Sequence, residues 1–95
     1  MQIAGQEYTL KSDVKMRQAA RGLQLCDTIR TEMLKYLQEP TDENYAEFDA
    51  HWTEFAAIAF DNPPKLEDCD SHHVLEALTG FTAARSRMAA SAPSA

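Results

Sequence analysis

The chain has no surplus of basic charge: its 9 Lys and Arg are outnumbered by 15 Asp and Glu, for a net charge of −6. Duplex nucleic acid and anionic lipid both reward dense Lys/Arg, so neither nucleic acid nor membrane is expected as a partner. No apolar run approaches the roughly 20 residues of a membrane-spanning helix, and the first residues lack the basic-then-apolar layout of a secretory signal. A soluble, cytoplasmic protein is the expectation. Cysteine is scarce as well: Cys26 and Cys69 stand in unrelated contexts without CxxC spacing and read as free thiols. Glycine is scarce too, and neither GxxxxGK[ST] nor GxGxxG occurs, so no phosphate cradle is predicted. Carboxylates are plentiful but form no recognisable pair of opposed acids. These absences point to a non-enzymatic protein, with no catalytic residue, metal or cofactor assigned.

What the chain does have is aromatic surface in a regular pattern. From Thr41 to Phe60, the residues Tyr45, Phe48, Trp52, Phe55 and Ala59 alternate in steps of three and four, which places them on one helical face. Ala56 and Phe60 widen that stripe, while Glu43, Glu47, Asp49 and Glu54 lie elsewhere on the helix. Thr41 is suited to the N-cap, Asp42 and Glu43 suit the positive end of the helix dipole, and Asn62-Pro63-Pro64 is expected to end the element. Most of this stripe is expected to form the core, with part left over for a partner protein.

The remaining chain supplies the surfaces for it to pack on. Residues 1–11 read as a small β-hairpin, Gln2 to Ala4 and Glu7 to Leu10 joined at Gly5-Gln6, with Tyr8 and Leu10 on one face. An isolated hairpin is marginal in water, so it is expected to lie on a helix or extend a partner's sheet. Ser12 or Asp13 is expected to cap a helix from Val14 to Leu37. Its inward stripe is Val14, Ala19, Leu23, Cys26, Ile29 or Arg30, Met33 and Leu37, flanked by Met16, Ala20, Leu34 and Tyr36. Gly22 marks a bend, a close helix contact or a split into two helices. Lys15, Arg17, Arg21, Arg30 and Lys35 form a basic face able to pair with the acidic helix beyond Pro40. The short connection Gln38-Glu39-Pro40 implies antiparallel helices. Leu66 anchors an irregular link, and Ser71 is expected to cap a third helix from His72 to about Met88, with Val74, Leu75, Leu78, Phe81 and Ala84 or Arg85 inward. Gly80 weakens it in the middle. The expected whole is a mainly α, three-helix bundle with a short N-terminal β-hairpin, one domain over residues 1–88, and a flexible tail at 89–95.

Asp68-Cys69-Asp70-Ser71-His72-His73 is the one cluster with chemistry-bearing residues. Cys69 and His72 have C-x-x-H spacing, and His73 and His51 could complete a zinc set, but no second spaced pair is evident. A Cys69 nucleophile served by His72 or His73 lacks any family signature. The order of elements carries a resemblance instead. The hairpin reading I-x-G-x-x-Y-x-L (Ile3, Gly5, Tyr8, Leu10), a helix opening at Asp13-Val14 and later acidic helices with a loose tail resemble small tail assembly chaperones of long-tailed bacteriophages and prophages, over about Met1 to Phe81. That resemblance implies a protein that coats the tape-measure protein, keeps its apolar helices soluble and recruits the major tail protein. Such families often add a frameshifted longer product. The contact residues expected from the sequence are Tyr45, Trp52 and Phe55 on the central helix and Tyr8 and Leu10 on the hairpin, and homo-oligomerisation is compatible with the same surfaces. The alternatives are a regulatory, inhibitor- or antitoxin-like binding protein and a small zinc-stabilised domain.

Overall fold

The computed structural model describes residues 1–91, with side chains described as far as Arg85. In chain order the elements are β1 (Gln2–Ile3), β2 (Gln6–Glu7), α1 (Met16–Gln38), α2 (Asp42–Ala59), a 3-10 turn at Leu66–Asp68, and α3 (Ser71–Ser91). The chain is thus mainly α, with three helices and a two-stranded antiparallel hairpin, the class expected from the sequence.

α2 forms as its sequence predicts. The Thr41 hydroxyl accepts the Asn44 N–H at 3.1 Å, satisfying one of the orphan donors of the first turn. Asn44 is itself buried, and its Nδ2 donates to the Glu39 carbonyl at 2.9 Å, which fastens the short connection from α1. Phe48, Trp52, Phe55, Ala56 and Ala59 are buried along one face. The helix stops at Ala59, before the prolines are reached. Phe60 is extended and bridges Leu10, while the Lys11 N–H donates to the Ala59 carbonyl at 2.7 Å. A strand-like contact with the N-terminal arm therefore ends α2, and Pro63-Pro64 shape the link beyond it.

The same contact delays α1. With Leu10 and Lys11 tied to the end of α2, and the Ser12 carbonyl accepting from Arg85 Nη2 at 3.4 Å, the chain is not yet helical where a cap at Ser12 or Asp13 was expected. The helix begins at Met16, and Lys15 in the N-cap position makes no side-chain bond. It then runs unbroken through Gly22. A Cβ there would lie 2.6 Å from Cζ of Phe81, so Gly22 is a close helix contact rather than a bend or split. The buried face is Gly22, Leu25, Cys26, Ile29 and Met33; Leu23 and Leu37, expected inward, are exposed.

Basic α1 and acidic α2 do pair. Arg21 reaches both carboxylate oxygens of Glu54 at 2.7 and 2.9 Å, Lys35 lies 3.9 Å from Glu47, and His51 Nδ1 sits 2.7 Å from Glu32 Oε1. The Arg21 hydrogen bond holds the Glu54 carboxyl below its ordinary range. Arg21 and Glu54 are both solvated, so this pair sets register more than stability. The link after α2 runs back along it: Trp52 Nε1–H donates to the Pro64 carbonyl at 3.0 Å, and Leu66 is buried. α3 consequently starts beside the start of α2 and runs antiparallel to α1, with Phe81 at Gly22 near the beginning of α1 and His72 and Val74 beside Met33 and Leu37 near its end.

Three rings fill the centre. Trp52 and Phe55 have centroids 5.6 Å apart, and Phe55 meets Phe81 edge-on at 5.4 Å and 75°. On α3 the buried positions are Val74, Ala77, Leu78 and Phe81, whereas Leu75, expected inward, lies about 100° round the helix and is 39 % exposed. Arg85 stacks its guanidinium 5.2 Å from the Phe81 ring. Asp70, not Ser71, holds the position before α3, its carbonyl accepting the His73 and Val74 N–H groups. The backbone of α3 continues as helix to Ser91, through the first residues expected as tail; residues 92–95 lie outside the described residues. The hairpin turns at Ala4-Gly5, one residue earlier than expected, because both adopt positive φ (51° and 80°) in a primed two-residue turn. Register is Gln2 with Glu7 and Ile3 with Gln6, so Tyr8 and Leu10 lie beyond the paired strands, Tyr8 edge-on to Phe60 at 6.4 Å.

The two helical glycines should respond oppositely to the same substitution. Gly22→Ala forces the buried Phe81 ring aside and should lower unfolding stability by about 1–3 kcal/mol despite alanine's better propensity. Gly80→Ala meets only the Leu10 Cδ1 tip at 2.8 Å, on a half-buried side chain that can turn away, and should be neutral or stabilising by up to about 1 kcal/mol. Trp52→Phe leaves the Pro64 carbonyl without its donor and should cost about 2–4 kcal/mol. Denaturant unfolding of the three variants measures all of this, and equal destabilisation by the two glycine changes would contradict the Phe81 contact.

Candidate functional site: an open cleft at one end of the bundle

The tight α1–α2 connection and the returning link bring three helix ends together. Between the end of α1, the starts of α2 and α3, and the 3-10 turn lies an open cleft of about 410 Å³. Its floor is buried Met33, Phe48, Leu66 and Val74; its rim carries Leu37, 58 % exposed, and the half-buried pair Tyr36 and Tyr45, edge-on at 5.3 Å and 61°. His72, Asp70 and Ser71 close the polar side. Tyr45 also borders a neighbouring cleft of about 370 Å³ with Asp49, Thr53 and Lys65. Burial first, then the charges of Asp49 and Glu67, hold the Tyr45 phenol above its ordinary value, so it stays a neutral hydrogen-bonding group.

The structure separates the five contact residues expected from the sequence. Tyr45 stands on the cleft. Tyr8 and Leu10 line a different groove, about 380 Å³, against Glu76 and Gly80 of α3. Trp52 and Phe55 have no exposed surface, which corrects their assignment as contact residues: their face of α2 is covered by the returning link and by Phe81. Leu37, Tyr36 and Leu66 were not assigned as contacts. The sequence offered Leu66 as the link's apolar anchor, but no pattern placed the start of α3 beside it.

The Asp68–His73 segment assembles only in part. Asp70, His72 and His73 offer ligand atoms within 4.8 Å of one another, without Cys69 or His51. His51 faces Glu32 across the α1–α2 seam, so the four-residue zinc set read from the sequence does not come together. His73 Nδ1 is taken as well: it accepts the Asp70 backbone N–H at 2.9 Å, closing the first turn of α3 in the manner of a capping box. Cys69 is a poor thiolate. Burial first, then Asp68 and Asp70, push its thiol up to about 11, and its sulfur is 3.4 Å from the Lys65 carbonyl. Cys26 is buried with its thiol also raised, chiefly by burial.

Among the described residues, no helix is long and apolar enough to cross a membrane. Compared with protein-family models, curated proteins and solved structures, the chain finds no match.

Titration of Cys69 is the direct check on this electrostatic picture. In a Cys26→Ala background, thiolate absorbance should appear near pH 11, and Asp68→Asn with Asp70→Asn should bring it lower without restoring the ordinary value of 9.0, since burial is the larger cause. Because the folded state holds this proton more tightly than the unfolded chain does, the contribution to stability is full below pH 9 and is lost as pH rises toward 11. Alkylation at neutral pH as fast as that of a free thiol would contradict the half-buried, acid-flanked setting.

Proposed function

We propose that the chain is a non-enzymatic protein-binding module, an assembly chaperone that shelters apolar helical segments of a larger client. The observation that carries this reading is the cleft between the helix ends, an apolar floor rimmed by Leu37, Tyr36 and Tyr45 and open to solvent. An apolar groove of this kind fits the hydrophobic face of an amphipathic helix, with tyrosine hydroxyls able to bond at its margin. The net charge of −6 keeps such a groove-bearing protein dispersed and discourages nucleic acid as a competitor. The resemblance of Ile3, Gly5, Tyr8 and Leu10 and of the element order to small tail assembly chaperones names the client class: the tape-measure protein, with the major tail protein as second partner. On this reading the groove at Tyr8 and Leu10 is a second contact surface.

Co-expression with a tape-measure protein tests the proposal. The wild-type chain should raise the soluble yield of that client several-fold and co-purify with it. Tyr45→Ala combined with Tyr36→Ala should weaken capture by about tenfold or more while the thermal melt shifts little, because both side chains are only half-buried. Capture at wild-type strength by this folded double variant would remove the cleft from the contact surface, and no capture by the wild-type chain would remove the client.

A further inference from the structure

α1 carries a second apolar stripe, separate from the one it buries. Met16, Leu23, Leu34 and Leu37 are 87, 37, 53 and 58 % exposed. With Ala20, Asp27 and Arg30, all exposed, they form a line in alternating steps of four and three residues: 16, 20, 23, 27, 30, 34, 37. That is the spacing of a coiled-coil seam, and it lies well round the helix from Gly22, Leu25, Cys26, Ile29 and Met33. The two charges at its centre already form an i,i+3 pair at 3.8 Å, with the Asp27 side chain 89 % exposed.

This seam is self-complementary about a single point. An antiparallel copy centred between Thr28 and Ile29 sets Ala20 opposite Leu37, Leu23 opposite Leu34, and Asp27 opposite Arg30, each pair occurring twice by symmetry. Small meets large, leucine meets leucine, and acid meets base. A parallel copy in register would instead set Asp27 on Asp27 and Arg30 on Arg30, which like-charge repulsion disfavours. The residues flanking the seam on one side, Gln24, Thr31 and Gln38, are uncharged. In a chain of net charge −6, α1 is also the least acidic element, with Arg17, Arg21, Arg30 and Lys35 against Asp27 and Glu32. Copies meeting through α1 therefore keep the acidic residues of α2 out of the contact.

We propose that the outer face of α1 is a two-fold homodimer interface, an antiparallel helix pair locked by a ring of two Asp27 and two Arg30 side chains. The occupant of the seam is a second copy of this chain. The seam from Ala20 to Leu37 is roughly 25 Å long. Two such faces bury on the order of 1,000 Å², at the small end of specific interfaces, so the dimer forms reversibly at about micromolar to sub-millimolar concentration. Leu37 belongs both to this seam and to the rim of the client cleft, so the dimer is probed at Leu23, Asp27, Arg30 and Leu34, none of which lines that cleft.

Sedimentation equilibrium on the full chain over a concentration series tests it. The wild-type chain should pass from monomer to dimer, and Leu34→Glu, or Leu23→Glu should the first variant fold poorly, should leave a folded monomer. Asp27→Arg and Arg30→Asp should each weaken dimerisation at least about tenfold by opposing like charges. The double variant Asp27→Arg/Arg30→Asp should recover wild-type dimerisation, because the antiparallel arrangement restores both pairs, and it should not mix with the wild-type chain. A parallel dimer would instead mix with the wild-type chain, because it sets position 27 against position 27 and position 30 against position 30, where the two chains carry opposite charges. A monomer at every concentration, single swaps that dimerise like wild type, or a double swap no stronger than the singles would each overturn the proposal. So would a seam that binds another protein while the chain stays monomeric.

Discussion

The hydrogen bond from the Trp52 indole to the Pro64 carbonyl is the contact on which the arrangement of helices depends. A wholly buried indole needs an acceptor for its N–H, and the backbone of the link is the acceptor it has. The bond lays the link back along α2. Pro63 and Pro64 suit that task, since they favour extended chain and have no N–H of their own to satisfy. Leu66 then anchors the far end of the return, and α3 has to start beside the start of α2. Without that return, a link directly reversing direction would place α3 antiparallel to α2, and the three helix ends that make the cleft would not converge.

Packing then consumes the large rings. Trp52, Phe55 and Phe81 pack together at the crossing, and Gly22 gives Phe81 the room to reach between α1 and α2. Each buried aromatic contributes on the order of 1.5–3 kcal/mol or more and covers more area than any one of the aliphatics packed beside it, such as Leu25, Ile29 and Leu78. Aromatic surface is therefore what this fold can least spare. The groups left at the surface are those with weaker claims on the core: tyrosines, whose hydroxyls need water or a polar partner, and the leucines of the outer face of α1.

The sequence made the secondary structure legible wherever periodicity was strong and local. The face of α2, its Thr41 cap, the three-helix count and the charge pairing of α1 with α2 are all written in residue spacing. What was not legible came from contacts distant in sequence. The start of α1 and the end of α2 are set by Leu10, Lys11 and Phe60 meeting one another, a pairing no local pattern announces. α1 holds more apolar residues than one helical face can use, and a single stripe drawn through Leu23, Cys26, Met33 and Leu37 mixes two faces and passes over Leu25. The cleft was invisible for the same reason, since it is built from the ends of three helices whose convergence depends on the link.

Separating those two faces of α1 changes how surface leucines are to be understood. A leucine that misses the core is ordinary by itself, because folded proteins expose much apolar area. Here the outward leucines keep coiled-coil spacing, and the charged residues that interrupt them sit symmetrically about the midpoint of the line. A solvated helix face has no physical reason to balance Asp27 against Arg30 about the point that also balances Leu23 against Leu34. A face meeting its own copy has that reason, because two-fold symmetry makes every residue answer to the one reflected through the axis.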